Sequence, residues 1–262
     1  MNVLLALCVV LGADMYDTTF NGANQAYRSG DYPAAIAQYE QLVSAHVNDA
    51  VLFYNLGNAC HGAGNIGKAV AMYERALQLD PKSEAAQQNL DTVLKTTRRN
   101  LPRPLPGDIE QALFFWAENL SFKTVLYFGV TGWTLLWALL ALRAWRPIRF
   151  LRAVALVVGL AAALSLGAAW AKAHPVELAV AAQTEVPVFF GKNPDEPPRF
   201  LLYEGDRVRV ERMDAGWALV STAGGDRGWV QEDRMAFVGR IAARTAAASG
   251  NAPAAAPGTG KS

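Results

Sequence analysis

FYNLGNACHGAGNIGKAVAMYERALQLDP, residues 53–81, decides the architecture of the first third of this chain. It reads Phe53-x-x-Leu56-Gly57, a turn at Gly64-Asn65, then Ala69-x-x-x-Tyr73-x-x-Ala76, and stops at Asp80-Pro81. Two helical patterns joined by a glycine turn make a helical hairpin. The same pattern stands 34 residues upstream: Asn21, Ala23, Asn24, Gly30, Ala35, Ala37, Tyr39 and Glu40 match Asn55, Gly57, Asn58, Gly64, Ala69, Ala71, Tyr73 and Glu74. A period of 34 is that of a helix–turn–helix solenoid unit. Such units build concave binding surfaces, so an adaptor is expected rather than an enzyme.

Each small residue in the unit has a physical role. Ala23 and Gly57 on the first helices let the second helices approach, with Ala35 and Ala69 opposite them. Tyr39 and Tyr73 fill the space between neighbouring units, and Pro81 ends one unit before the next begins. On these residues the chain resembles the tetratricopeptide repeat family, most sharply over residues 50–81. Residues 14–100 are expected to hold two repeats and a capping helix from Glu84 to Arg99. The resemblance implies a groove lined by first helices: Phe20, Asn24 and Tyr27, then Tyr54, Asn58 and His61, then Gln88 and Lys95. Two roles are open for Asn24 and Asn58: bonding a peptide backbone in both directions, or only tying helices together. Lys95, with Arg98 and Arg99 nearby, is placed to meet an acidic end of a ligand.

The rest of the chain is organised by hydropathy. Charged residues make up 18% of the chain and net charge is +1, so no global field or basic patch draws in nucleic acid. The apolar excess lies at the start and between Thr124 and Ala173. Residues 1–13 carry an apolar run too short to span a bilayer and are expected to be a signal peptide. Residues 124–142 and 153–173 each have the length and composition of a transmembrane helix. Between them, in residues 143–152, stand Arg143, Arg146, Arg149 and Arg152, while the outer flanks offer mainly Lys123 and Lys172. The positive-inside rule makes that loop cytoplasmic and puts both flanking regions outside, which for a bacterial inner membrane is the periplasm. Residues 101–123 read as a proline-rich linker followed by an aromatic interfacial helix.

Residues 176–239 change to a period of two, with Val186–Phe189, Arg207–Val210, Trp217–Val220 and Gly228–Val230 alternating as half-buried strands do. A Glu-Gly turn into Val-x-Val, then Gly-Trp-x-x-Val, then Gly-x-x-Gly-Trp-Val resembles a bacterial SH3-like domain, which implies a small all-β barrel. Trp217 and Trp229 are expected in core and turn packing, and the alternative is a shallow surface made from Trp217 and the Phe189–Pro198 loop, for peptide or cell-wall stems. Residues 240–262 are expected to be disordered.

No metal or cofactor is expected. His61 has no second ligand spaced with it, and no catalytic motif occurs. The terminal Gly-Thr-Gly-Lys-Ser lacks the first glycine of a phosphate loop, since Ala255 stands there. Cys60 is expected to be a packed structural thiol. The order of parts, repeats, membrane hairpin, then SH3-like domain, resembles the BatE family of the bacterial aerotolerance operon. That resemblance implies an inner-membrane scaffold beside von Willebrand A proteins and a MoxR-type ATPase. A peptidoglycan sensor acting through the SH3-like domain is the alternative.

Overall fold

Short polar side chains start the helices of the first region. Asp31 accepts a hydrogen bond from the amide of Ala34, Asp49 from Val51 and Leu52, and Ser83 from Ala86. Each satisfies amides that the first helical turn leaves without partners. The computed structural model describes residues 16–99, 101–104, 112–117, 120–146, 148, 150–174 and 176–239. The expected signal segment, the 240–262 tail, Arg149 and residues 105–111 of the linker lie outside the described residues.

Five helices follow in order: α1 at residues 16–28, α2 at Tyr32–Ser44, α3 at Ala50–Gly62, α4 at Ile66–Leu79 and α5 at Glu84–Leu94. They form two helical hairpins and a single third helix. Ala23, Ala35, Tyr39, Ala69 and Tyr73 are all buried in one core. Gly57 is required by packing, because a Cβ there would lie 2.7 Å from the Tyr73 ring. The capping helix ends at Leu94, not at Arg99 as the sequence suggests. The hydroxyls of Thr96 and Thr97 donate to the carbonyls of Val93 and Leu94 and unwind the chain there.

Two helices of 24 residues each come next, α6 at Phe122–Trp145 and α7 at Phe150–Ala173. Both are long and apolar enough to cross a membrane. They pack through small residues: a Cβ on Gly132 would lie 3.1 Å from that of Ala162, and one on Gly129 would meet Leu166. Before them, residues 112–114 are helical and Phe115–Ala117 form a 3-10 turn. Phe114, Ala117 and Leu120 pack onto Val125, Ala168 and Ala169, so the aromatic segment folds against the hairpin.

Seven strands complete the described chain: β1 Leu178–Ala181, β2 Glu185–Val188, β3 Phe200–Tyr203, β4 Arg207–Asp214, β5 Trp217–Ser221, β6 Arg227–Gln231 and β7 Met235–Val238. The expected barrel does not close. Five antiparallel strands form one sheet in the order β6-β5-β4-β1-β7, β2 and β3 form another, and a single bridge joins Phe189 to Trp229.

Sequence alternation marks β2, β4, β5 and β6 but not β1. All four residues of β1 are buried. Alternate side chains of a strand point to opposite faces. Ala179 and Ala181 enter the sheet's own core, while Leu178 and Val180 enter the helical core. β7 divides in the same way, with Met235 and Phe237 on the sheet side and Val238 on the helix side. Helix α4 thus packs on the outer face of β1 and β7, and the repeats and the sheet share apolar packing.

Candidate functional site

α1, α3 and α5 are the three first-type helices, and their asparagines form a hydrogen-bonded ladder. The Asn24 Oδ1 accepts from the Tyr39 hydroxyl at 2.7 Å and from the Asn55 Nδ2 at 3.2 Å. One repeat later the Asn58 Oδ1 accepts from the Tyr73 hydroxyl at 2.7 Å and from the Asn89 Nδ2 at 2.8 Å. Asn89 also donates to the Tyr54 hydroxyl. An amide oxygen has two lone pairs, and here both are used. Among the described residues neither Nδ2 of Asn24 or Asn58 has a partner. The two asparagines therefore tie helices through oxygen, which leaves their N–H groups without a partner among the described residues. Bonding a peptide backbone in both directions would need a spare acceptor, which this arrangement lacks.

The ladder draws on residues that the expected groove set omits. Asn21, Asn55 and Asn89 stand 34 apart in sequence, so the signal was present in the repeat itself. Burial raises the pKa of both tyrosines that brace the ladder. Tyr39 is pushed up to about 12, and Tyr73 is raised further by the same cause. Both phenols are therefore neutral donors at any physiological pH.

The remaining groove residues differ in availability. Phe20 stacks on Tyr16 with ring centroids 5.5 Å apart and meets the edge of Tyr39, so it is a packed wall. Tyr27 is exposed beside Tyr32, and Tyr54 is half-buried against Tyr73. His61 is exposed in the last turn of α3, and Gln88 and Lys95 are exposed on and just after α5. Of the basic group expected around Lys95, only Lys95 itself is without an ion pair among the described residues. Arg98 pairs with Glu185 at 3.0 Å and Arg99 with Asp206 at 2.8 Å, and both guanidinium groups lie over the Tyr203 ring. The exposed members of the set are Tyr27, His61, Gln88 and Lys95.

On the sheet, Phe189 is not a surface residue. It is 4% exposed, meets Trp217 edge-on at 5.9 Å and bridges to Trp229. Its neighbour Phe190 is exposed instead, with the Arg199 guanidinium 5.0 Å from its ring. Lys192 and Arg212 bracket Trp229 at 4.6 and 5.3 Å. Trp217 is half-buried on β5. Of the four arginines expected to set topology, Arg143 ends α6, Arg146 caps it and Arg152 lies in the first turn of α7.

Cys60 is fully buried in α3, and burial pushes its thiol up to about 12. It is a core residue.

No curated protein matches the chain. Residues 20–84, from Phe20 in α1 to the first residue of α5, match the family model of the tetratricopeptide repeat, a fold that mediates protein–protein interaction, and the expected groove residues from Phe20 to His61 fall within that match.

Proposed function

We propose that this protein is a membrane-anchored, non-enzymatic adaptor whose repeat groove holds an extended segment of a protein partner. The observation that carries this reading is the pair Asn24 and Asn58. Their oxygens are committed to tyrosine and asparagine donors, and their N–H groups are presented one repeat apart. Donors without spare acceptors suit main-chain carbonyls of an extended peptide.

The membrane anchor is read from α6 and α7. Each spans about 36 Å at 1.5 Å per residue, against a hydrocarbon core of about 30 Å. Only 11% and 22% of their apolar windows are covered, unlike core helices of a soluble protein. Exposed aromatics stand at both ends, Phe122 and Trp170 at one and Trp145 and Phe150 at the other, and also along α6 at Trp133 and Trp137. The residues at the ends suit the headgroup boundaries. The arginines at the Trp145 end support a cytoplasmic location for that end by the positive-inside rule, with the repeats and the sheet then in the periplasm of a bacterial inner membrane. The order of parts supports the finer reading of a BatE-like scaffold with von Willebrand A and MoxR-type partners.

The test uses aspartate at both positions. Asn24→Asp with Asn58→Asp keeps the acceptor for each tyrosine and asparagine donor, removes the Nδ2 donors and puts a negative charge at each position, which a main-chain carbonyl would oppose. The detergent-solubilised double variant is expected to lose a copurifying partner while its circular dichroism and melting stay near wild type. Undiminished copurification would sink the groove reading.

A second reading has its own observation, the aromatic and cationic face formed by Phe190, Trp217 and Trp229 with Lys192, Arg199 and Arg212. It fits a cell-wall ligand. Because the sheet shares its core with α4, the whole chain is sedimented with purified sacculi. Trp217→Ala is then expected to reduce pelleting, and equal pelleting removes this reading.

A further inference from the structure

We infer that the sheet completes the third repeat: it takes the place of the second helix that should follow α5, and so sets the pose of the groove's third wall. The bearing of this on ligand binding rests on the groove reading above.

Among the described residues, α5 has no partner helix after it. Yet Leu90, Val93 and Leu94 are buried in the shared core. The chain leaving α5 runs onto the sheet instead. Thr97 lies against Gly205, Arg99 donates to the Leu201 carbonyl at 2.9 Å, and Leu101 packs on the sheet core while its carbonyl accepts from Arg207 at 3.0 Å.

A repeat-specific comparison points the same way. Glu40 in α2 pairs with Lys68 of the next repeat across a partly exposed surface. Its counterpart Glu74 in α4 is 1% exposed and pairs with Arg207 of β4 at 2.9 Å and Arg103 at 3.2 Å. Arg103 falls one residue past the position that the 34-residue spacing assigns to a counterpart of Lys68. The segment after α5 thus supplies one cation close to the repeat position but one residue out of register, and a strand arginine supplies the second.

The start of α4 is also finished by the sheet. Its N-cap Asn65 makes no side-chain cap bond, whereas Asp31 caps α2. The Glu204 carboxylate accepts from the Gly67 amide at 3.2 Å instead, an anion at a helix N-terminus supplied from the sheet region. Gly67 stands where the first repeat has Pro33. A Cβ there would lie 2.1 Å from the Ala181 carbonyl oxygen, so only glycine lets α4 meet the end of β1. Asp206, fully buried beside Glu204, binds Arg99 and the Tyr203 amide. Contacts of this kind, made only between these two regions, are those of a cap and not of a tethered neighbour.

Hydrogen exchange on the full chain in detergent, without any partner, tests the cap. Arg207→Ala and Gly67→Ala are each expected to speed exchange of the Leu90–Leu94 amides by about tenfold or more, together with those of β1 and β7, while α1 and α2 stay protected. Trp217→Ala, two strands away from β1, is expected to leave α5 unchanged. Loss of protection in β1 and β7 with α5 unmoved overturns the inference, and so does unchanged exchange throughout. If Arg207→Ala does not fold, Arg207→Lys gives the graded comparison. The Asn-to-Asp pair keeps the Asn58–Asn89 bond and is expected to leave α5 exchange alone, so failure of the groove reading is visible separately from failure of the cap.

Discussion

Asn24 and Asn58 illustrate how a repeated residue can be structural and available at once. Their amide oxygens join the helices and their N–H groups do not. The tyrosines that brace them are predicted to matter for stability and pH response. Tyr39→Phe or Tyr73→Phe removes one hydrogen bond and is expected to cost about 1 kcal/mol each in chemical denaturation. The alkaline limit follows from the same groups. The Tyr39 phenol has an ordinary pKa of 10.0 and a folded value of about 12, so the unfolded chain releases its proton first. The stability it contributes is full below pH 10 and is lost as the pH rises to about 12. Melting temperature should therefore fall over that window, with tyrosinate absorbance lagging behind that of an exposed tyrosine. The Tyr39→Phe, Tyr73→Phe double variant should show a shallower decline, and an equal slope would refute the assignment. The 34-residue spacing made the asparagines legible in sequence. It left open which atom of each amide was spent, because that depends on a tyrosine fifteen residues away on another helix.

At the scale of elements, α4 and β1 carry the fold's least expected contact. In a solenoid the second helices turn an outer face toward water, but α4 turns its own toward a sheet. Gly67 and Glu74 serve that contact; propensity marks Gly67 as a poor helix former and charge marks Glu74 as an ordinary surface acid, and neither says what the residue meets. Gly67→Ala is predicted to destabilise the chain by about 1–3 kcal/mol, the range for overpacking a well-filled site. This contrasts with the gain that alanine gives in an exposed helix. Arg207→Ala should cost more, about 3–5 kcal/mol, since it strips a counter-charge from the buried Glu74. Equilibrium denaturation of the two variants checks both the sign and the order. The alternation rule missed β1 for a related reason. It identifies strands with one wet face, and β1 has none.

At the scale of the whole molecule, only residues 174–177 separate α7 from β1. Four residues reach about 13 Å when extended. The repeat-and-sheet body therefore stands close to the end of the hairpin, held through β1 and hence through α4. Helix signal and tryptophan fluorescence from Trp217 and Trp229 are predicted to be lost in one transition of the extramembrane body, and two separated transitions would contradict the shared core. Topology has its own measurement. In a Cys8→Ser background, Ala223→Cys in an exposed sheet turn should react with an impermeant maleimide in intact spheroplasts. Ile148→Cys, exposed between α6 and α7, should react only after permeabilisation. Cys60 adds no background, because it is buried and its thiol stays protonated. The reverse labelling pattern would invert the chain in the membrane.

The helical repeats, the two apolar helices, the arginine-bearing turn between them and the presence of strands in the last part are legible in the chain alone. These rest on periodicity, length and local charge, which are properties of neighbours along the chain. Tertiary structure decided the rest. It left the strands as two sheets instead of a closed barrel, took Phe189 off the surface, and spent Arg98 and Arg99 on acids of the sheet. It also joined repeat to sheet through Glu74 and Arg207, which stand 133 residues apart. The repeat spacing records only the pairing of one unit with the next. A contact made once, between elements of different periodicity, leaves no recurring pattern in the chain that makes it.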